Sequence, residues 1–205
     1  MSGDAYPDLP GLLGSRLCHD LISPVGAIGN GLELLSMSGS GGPRREEMQL
    51  VADSVAQAQA RIRFYRVAFG LSREDQAMGT PELCDTLDGV YGAGRLQVAW
   101  DVSGEVPRPA ARLAFLMVLC VEAALARGGR VTVARDRRSW RVAGSGPRLR
   151  DLGPFWALLE GQPCDEPLTP ERVQFPLLAR QAETMGLRVA VSAGEGGVTL
   201  NAVPR

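Results

Sequence analysis

The chain has 205 residues, 45% of them hydrophobic, with 22 basic against 23 acidic side chains and a formal charge of −1. That length holds one domain, or a helical hairpin with one compact domain, and the near-neutral balance gives no electrostatic basis for binding nucleic acid or an anionic membrane. No apolar stretch reaches the roughly 20 residues of a membrane span, and Met1 to Pro10 lacks the basic start and apolar run of a secretion signal, so a cytoplasmic location is expected.

A first helix is predicted from Asp8 to Met37, with Pro10 accommodated in its first turn. At about 100° per residue, Leu13, Leu17, Leu21, Pro24, Ile28, Leu32 and Leu35 form one continuous apolar stripe, expected to be buried. His19, the single histidine, lies opposite that stripe. It shares its side with Leu12, Ser15, Arg16, Ile22, Ser23, Gly26 and Asn30, a surface of small, polar and isolated apolar groups that admits another protein closely. An imidazole held out to solvent beside Asp20 suits a carrier of phosphate; a satisfied surface histidine without chemistry is the alternative. Cys18 adjoins His19, yet neighbours in sequence point about 100° apart on a helix, which argues against a Cys–His nucleophile pair. Cys84, Cys120 and Cys164 are dispersed, with neither zinc-ligand nor disulfide-framework spacing, and buried reduced thiols are expected for most of the cysteines.

The run Ser38-Gly39-Ser40-Gly41-Gly42 breaks the helix. A second begins near Pro43, and its positions Met48, Val51, Val55, Ala58, Ile62, Tyr65 and Phe69 alternate steps of three and four as a heptad seam. Two antiparallel helices with one stripe each leave part of both stripes wet. Pairing two copies into a four-helix bundle buries the remainder, so a homodimer is expected, the alternative being cover by the rest of the same chain. The pattern then changes, dividing the chain into a hairpin over residues 1–72 and an α/β domain over 78–205.

In the second part, Pro81 to Tyr91 reads as a short helix, Leu96 to Val102 as a strand and Pro109 to Arg127 as a long apolar helix. Strands follow at Arg130 to Ala134 and Trp140 to Ala143. A short helix is predicted at Pro154 to Leu159 and another helix at Glu171 to Met185. Leu187 to Ser192 and Val198 to Val203 close the chain as a hairpin around Gly194-Glu195-Gly196-Gly197. This order suggests helices packed on one face of a mixed sheet.

His19-Asp20-x-x-x-Pro24 on the first helix of a dimerising hairpin resembles the H-box of sensor histidine kinases, and the following α/β part resembles their ATP-binding domain. Leu113 to Arg127 takes the place of the N-box helix, Gly144-Ser145-Gly146 that of the first glycine box, and Val173 to Val203 that of the terminal helix and hairpin. Three nucleotide contacts depart from the family pattern. Glu122 is followed four residues on by Ala126, where the N-box has an Asn that holds Mg²⁺. Val142 stands where an Asp reads the adenine amino group. Asp165 to Val173 contains Pro167 and Pro170 but no glycine, so the phosphate-cradling loop has no counterpart. Each lost charge-assisted contact is worth about 1.5 to 3 kcal/mol, and useful ATP affinity is not expected.

A kinase scaffold with its histidine but without its nucleotide site resembles the ChpT-type histidine phosphotransferases of alphaproteobacteria. The likeness is carried by Arg16 to Ile28, Arg61 to Gly70 and Gln174 to Arg180. It implies a dimer that takes phosphate from the receiver domain of a hybrid kinase and passes it to response regulators. His19 would be the nucleophile, through Nε2. Asp20 either fixes the imidazole tautomer at Nδ1 or is a solvated helix charge. Ser23 either meets the phosphoryl group or, being small, lets the receiver in. Arg16 either draws phosphate or receiver carboxylates, or is plain surface.

Gly26 and Gly29 read as clearance for a docking helix, or as marks of a kink at Pro24, and Ile22 as an apolar docking contact. Arg148 and Arg150 offer a basic contact to an acidic receiver, or a solvated loop. Phe155 and Trp156 either fill the vacated nucleotide cleft or belong to the core. No cofactor or metal is assigned to this chain, and Mg²⁺ is expected to come with the receiver. The rival functions are an ATP-dependent histidine autokinase and a non-catalytic dimeric interaction module.

Overall fold

The computed structural model describes residues 8–37, 44–73 and 75–205. Helix α1 (Leu9–Met37) and helix α2 (Arg44–Ala68) pack as the hairpin. Both helices match their expected spans, while the glycine run and Pro43 between them lie outside the described residues. Close approach of the pair rests on Gly31. Its site is buried, and a Cβ there would stand 2.5 Å from Val51 Cγ2, so only glycine admits the Val51 side chain at this separation.

The second part runs β1 (Ala77–Gly79), α3 (Thr80–Tyr91), β2 (Leu96–Asp101), β3 (Glu105–Pro107), α4 (Arg108–Ala124), β4 (Gly129–Asp136), β5 (Ser139–Ser145), α5 (Gly153–Leu159), α6 (Gln174–Thr184), β6 (Leu187–Gly194) and β7 (Gly197–Pro204), with a short 3₁₀ turn at Pro170–Arg172 before α6. The main sheet has the order β2-β4-β5-β7-β6, with β2 and β4 parallel and the other neighbours antiparallel. This mixed sheet carries α4 across its inner face, where Leu113 to Val121 are buried without a break. The architecture is thus a helical hairpin followed by an α/β sandwich.

Four features differ from the sequence reading. Of the α1 stripe expected to be buried, Pro24 is buried, Leu13, Leu17, Leu21, Ile28 and Leu35 are half-buried, and Leu32, toward the far end of the hairpin, is exposed. A small antiparallel pair, β1 with β3, has strands of three residues, too short to leave a period in the sequence. Helix α4 stops at Ala124 instead of Arg127, because Gly128 and Gly129 adopt φ of 84° and 149° to turn the chain into β4. The seam of α2 does not stay on one face. Val51 meets α1, but from Ala60 onward the buried residues are Ala60, Phe64, Tyr65, Val67 and Ala68, the last four of which join the core of the second part. The far half of α2 is therefore wedged between α1 and the α/β sandwich, and Met48 and Ile62 are left exposed.

Candidate functional site

The N-terminal half of α1 lies beside the anchored half of α2, and this juxtaposition builds the site. His19 projects outward with 75% of its side chain exposed, while its neighbour Asp20 keeps only 13%. Asp20 Oδ1 lies 3.1 Å from His19 Nδ1. Its other oxygen, Oδ2, accepts a hydrogen bond from Arg16 Nε at 2.5 Å and a short one from the Tyr65 hydroxyl, which reaches across from α2. The i,i+4 spacing of Arg16 and Asp20 places them on adjacent turns, and the Tyr65 ring is fixed by edge and tilted contacts with Phe64 and Phe69. With Oδ2 doubly engaged, Oδ1 is the oxygen available to His19.

The charge state of the cluster follows from these contacts. Burial alone would raise the Asp20 carboxyl, but hydrogen bonds from Tyr65 and His19 and the charge of Arg16 outweigh it and hold the group below its ordinary value. Burial, reinforced by the Asp20 carboxylate, pushes the Tyr65 phenol up to about 12. For Arg16 burial opposes the charge, yet Asp20 more than compensates and its basicity is raised. At neutral pH the arrangement is an ionised carboxylate held by a cation and a neutral phenol, with a neighbouring imidazole nitrogen against its free oxygen.

The remaining candidates divide. Ser15, Ile22, Ser23, Gly26 and Asn30 are exposed around His19, and Leu12 is half-buried. A Cβ at Gly26 or Gly29 would meet nothing within 4 Å, so both leave open helix surface. Arg16 does not stand free on that surface: it turns inward to Asp20, with 18% of its side chain exposed. Arg148 and Arg150 are both exposed after β5. Arg150 joins Arg16, Arg172, Glu122, Ala126 and Glu171 around a cleft of about 370 Å³. Phe155 and Trp156 are core residues that pack on Phe175 at ring separations of 5.2 and 5.3 Å. Of the four cysteines Cys120 is buried, Cys84 and Cys164 are half-buried and Cys18 is exposed, so the expectation of buried thiols for most of them does not hold.

The three positions that depart from the kinase pattern have definite places. Val142 is fully buried in β5, Ala126 sits in the turn beyond α4, and Asp165 to Val173 form an irregular stretch and the 3₁₀ turn. Glu122 accepts a hydrogen bond from the Tyr91 hydroxyl at 2.9 Å. Burial raises its carboxyl, against partial relief from Tyr91, Arg16 and Arg61. Among the described residues no cluster of three or more His, Cys, Asp and Glu side chains has the makings of a metal site, and no helix is long and apolar enough to cross a membrane. The sequence reading missed Tyr65, which sat in the apolar seam; the signal it carried was a hydroxyl at a seam position, which needs a buried partner.

Known proteins agree with this picture. Residues 80–197 match the family described as Histidine phosphotransferase C-terminal domain. The protein phosphotransferase ChpT of Brucella abortus (strain 2308) is 30% identical over 201 residues, covering 95% of each chain. A solved structure of a bacterial phosphotransferase superposes with a TM-score of 0.78 at 29% identity, covering 98% of each chain. A more distant likeness is to the histidine kinase domain of a blue-light activated histidine kinase from Erythrobacter litoralis, at 16% identity and a TM-score of 0.43 over 98% of this chain and 94% of that one. With its family match, its relative over nearly the whole length and its hairpin-plus-sandwich fold, this chain belongs to the ChpT-type histidine phosphotransferases.

Proposed function

We propose that His19 is the phosphoacceptor of a relay, taking phosphate from the receiver domain of a hybrid kinase and passing it to receiver aspartates of response regulators. The observation that carries this reading is the pairing of an outward imidazole with a carboxylate at Nδ1. A proton held at Nδ1 leaves the Nε2 lone pair directed to solvent. In the forward step that lone pair attacks phosphorus, the N–P bond forms, and the acyl-phosphate P–O bond breaks with its electrons returning to the receiver carboxylate. Positive charge on the ring is met by Asp20. In the second step an aspartate oxygen of the next receiver attacks phosphorus, and the N–P electrons return to Nε2.

Phosphoryl transfer of this kind depends mainly on positioning and charge neutralisation, which a rigid helix supplies. Mg²⁺ is assigned to the receiver, because Asp20 is committed to Arg16, Tyr65 and His19. Ser23, one turn after His19, faces the incoming phosphoryl group. Leu12, Ser15, Ile22, Gly26 and Asn30 form the docking surface, with Arg148 and Arg150 giving a basic second contact. Arg16 acts inward, through Asp20.

The reading includes a cytoplasmic homodimer, with residues 1–72 as the dimerising and transferring domain and 78–205 as the sandwich. Val25 and Leu32 are exposed one heptad apart on α1, and Met48 and Ile62 two heptads apart on α2. This is an apolar seam on each helix that the described residues leave uncovered, and a four-helix bundle covers it. The relay is tested by mixing the protein with a labelled, phosphorylated receiver domain. Label is expected on the wild-type chain as acid-labile phosphohistidine and none on His19→Gln, with the dimer mass and helicity of the variant unchanged. Label on His19→Gln would refute the assignment.

A further inference from the structure

Tyr65 stands on a different helix from the proposed phosphoacceptor, is nearly buried, and directs its hydroxyl at Asp20 Oδ2, the oxygen also bound by Arg16. A carboxylate one residue from His19 has two ways to serve it. Free to rotate, it would exchange its oxygens among solvent, Arg16 and the ring, and the imidazole would sample both neutral tautomers. With Oδ2 pinned from two sides, Oδ1 alone is presented, 3.1 Å from Nδ1, and the ring keeps its proton on that nitrogen. Two fixed donors on one oxygen orient a carboxylate in the way that supporting groups orient a ligating or catalytic histidine.

We infer that Tyr65 is a positioning residue for phosphoryl transfer, holding the Asp20 carboxylate so that His19 carries its proton on Nδ1 and presents an unprotonated Nε2. The inference rests on the reading of His19 as phosphoacceptor. Tyr65 stays a neutral donor across the working pH range, since burial and the Asp20 charge push its phenol up to about 12. The other ionisable groups around the cluster are Arg61 on α2, Glu122 on α4 and Tyr91 on α3, which with Arg16, Phe64 and Tyr65 line a small cavity of about 20 Å³. Arg16 also lines the open cleft with Glu122, Arg150 and Arg172, so the cation that shares Asp20 Oδ2 is itself seated against the sandwich. The second part of the chain thereby has a structural connection to the imidazole without any nucleotide.

The chain's single histidine makes the test direct. The ¹⁵N shifts of its imidazole, measured at a pH where the ring is neutral and with no receiver present, report the tautomer. The wild type is expected to be predominantly Nδ1–H. Tyr65→Phe keeps the ring and its contacts with Phe64 and Phe69, so it is expected to fold, and a melting curve checks that. In the variant the shifts should move toward the mixture of a free imidazole. Transfer at saturating receiver should fall about tenfold or more, the scale of a lost hydrogen bond to a charged group, while the half-saturating receiver concentration stays within about twofold.

A wild-type ring found mainly as Nε2–H overturns the inference whatever the variant does. So does an unmoved tautomer in folded Tyr65→Phe, whether or not transfer falls, because a loss without a tautomer change is merely structural. Failure of the underlying relay reading has a separate signature, label on His19→Gln.

Discussion

Gly144 tests whether helix-to-strand packing by itself requires a glycine at this point of β5. It lies in β5, paired with Val131 of β4 on one side and Val198 of β7 on the other, so the strand cannot retreat within the sheet. A Cβ on Gly144 would stand 2.3 Å from Val121 Cγ1 on α4 and 2.9 Å from Leu125 Cδ1 just beyond its end, both buried. Carbon atoms pack at about 3.5 to 4.0 Å, so Gly144→Ala demands a displacement of more than about 1 Å from a helix buried along most of its length. Overpacking of this kind costs about 1 to 3 kcal/mol, and two simultaneous clashes argue for about 3. For a chain of this size that is a fall in melting temperature of roughly 6 to 12 °C.

The assay is thermal and urea unfolding of Gly144→Ala, Val121→Ala and the double variant. Val121→Ala alone should cost about 2 kcal/mol through the space it leaves. The double variant, in which the new methyl occupies that space, should lose about 3 instead of the additive 5, a coupling of about 2 kcal/mol. Transfer from a phosphorylated receiver should stay within about twofold of wild type at temperatures where the variant is folded. A loss below about 0.5 kcal/mol in the single variant, or additivity within that margin, would refute the claim that helix-to-strand spacing requires this glycine.

Glu122→Gln probes the buried acid of α4. Its folded-state carboxyl is raised, chiefly by burial, so the cost of ionising it is absent below the ordinary value near 4.5 and accrues as pH rises through the raised value. The stability of the Gln variant relative to wild type should therefore increase from about pH 4.5 toward neutrality in urea melts, and a difference that shrinks with rising pH contradicts the reasoning. Leu32→Glu places a charge in the exposed apolar seam of α1 and, on the proposed pairing of two copies, should sediment as a monomer where the wild type sediments as a dimer, with the far-UV spectrum unchanged. A dimer that survives this change would move the interface elsewhere.

Much of the architecture was legible because its signals are local. The 3.6-residue stripe of α1, the apolar run of α4 and the glycine-centred hairpin of β6 and β7 each fix an element within a few residues. What escaped depended on contacts distant in sequence. Tyr65 fitted the heptad seam of α2, and only the approach of α1 shows its hydroxyl spent on Asp20, forty-five positions away. Arg16 belongs to the outward side by helical projection, yet a long side chain next to Asp20 curls back to it. Ile62 fits the same seam as Tyr65 but ends up exposed, because wedging by the sandwich turns the buried face of α2 toward Phe64 and Val67. Helical period constrains which residues share a face, but not which neighbour that face will meet.

The rotation of that buried face has a mechanical consequence. His19 lies along the stretch of stem bolted to the sandwich, whereas Leu32 and Met48 belong to the overhang, about 20 Å farther along the axis at 1.5 Å per residue. Strain or loosening at the tip is thus insulated from the imidazole by several turns of braced helix. Substitutions can accumulate at the overhang while the geometry at the root stays as it was.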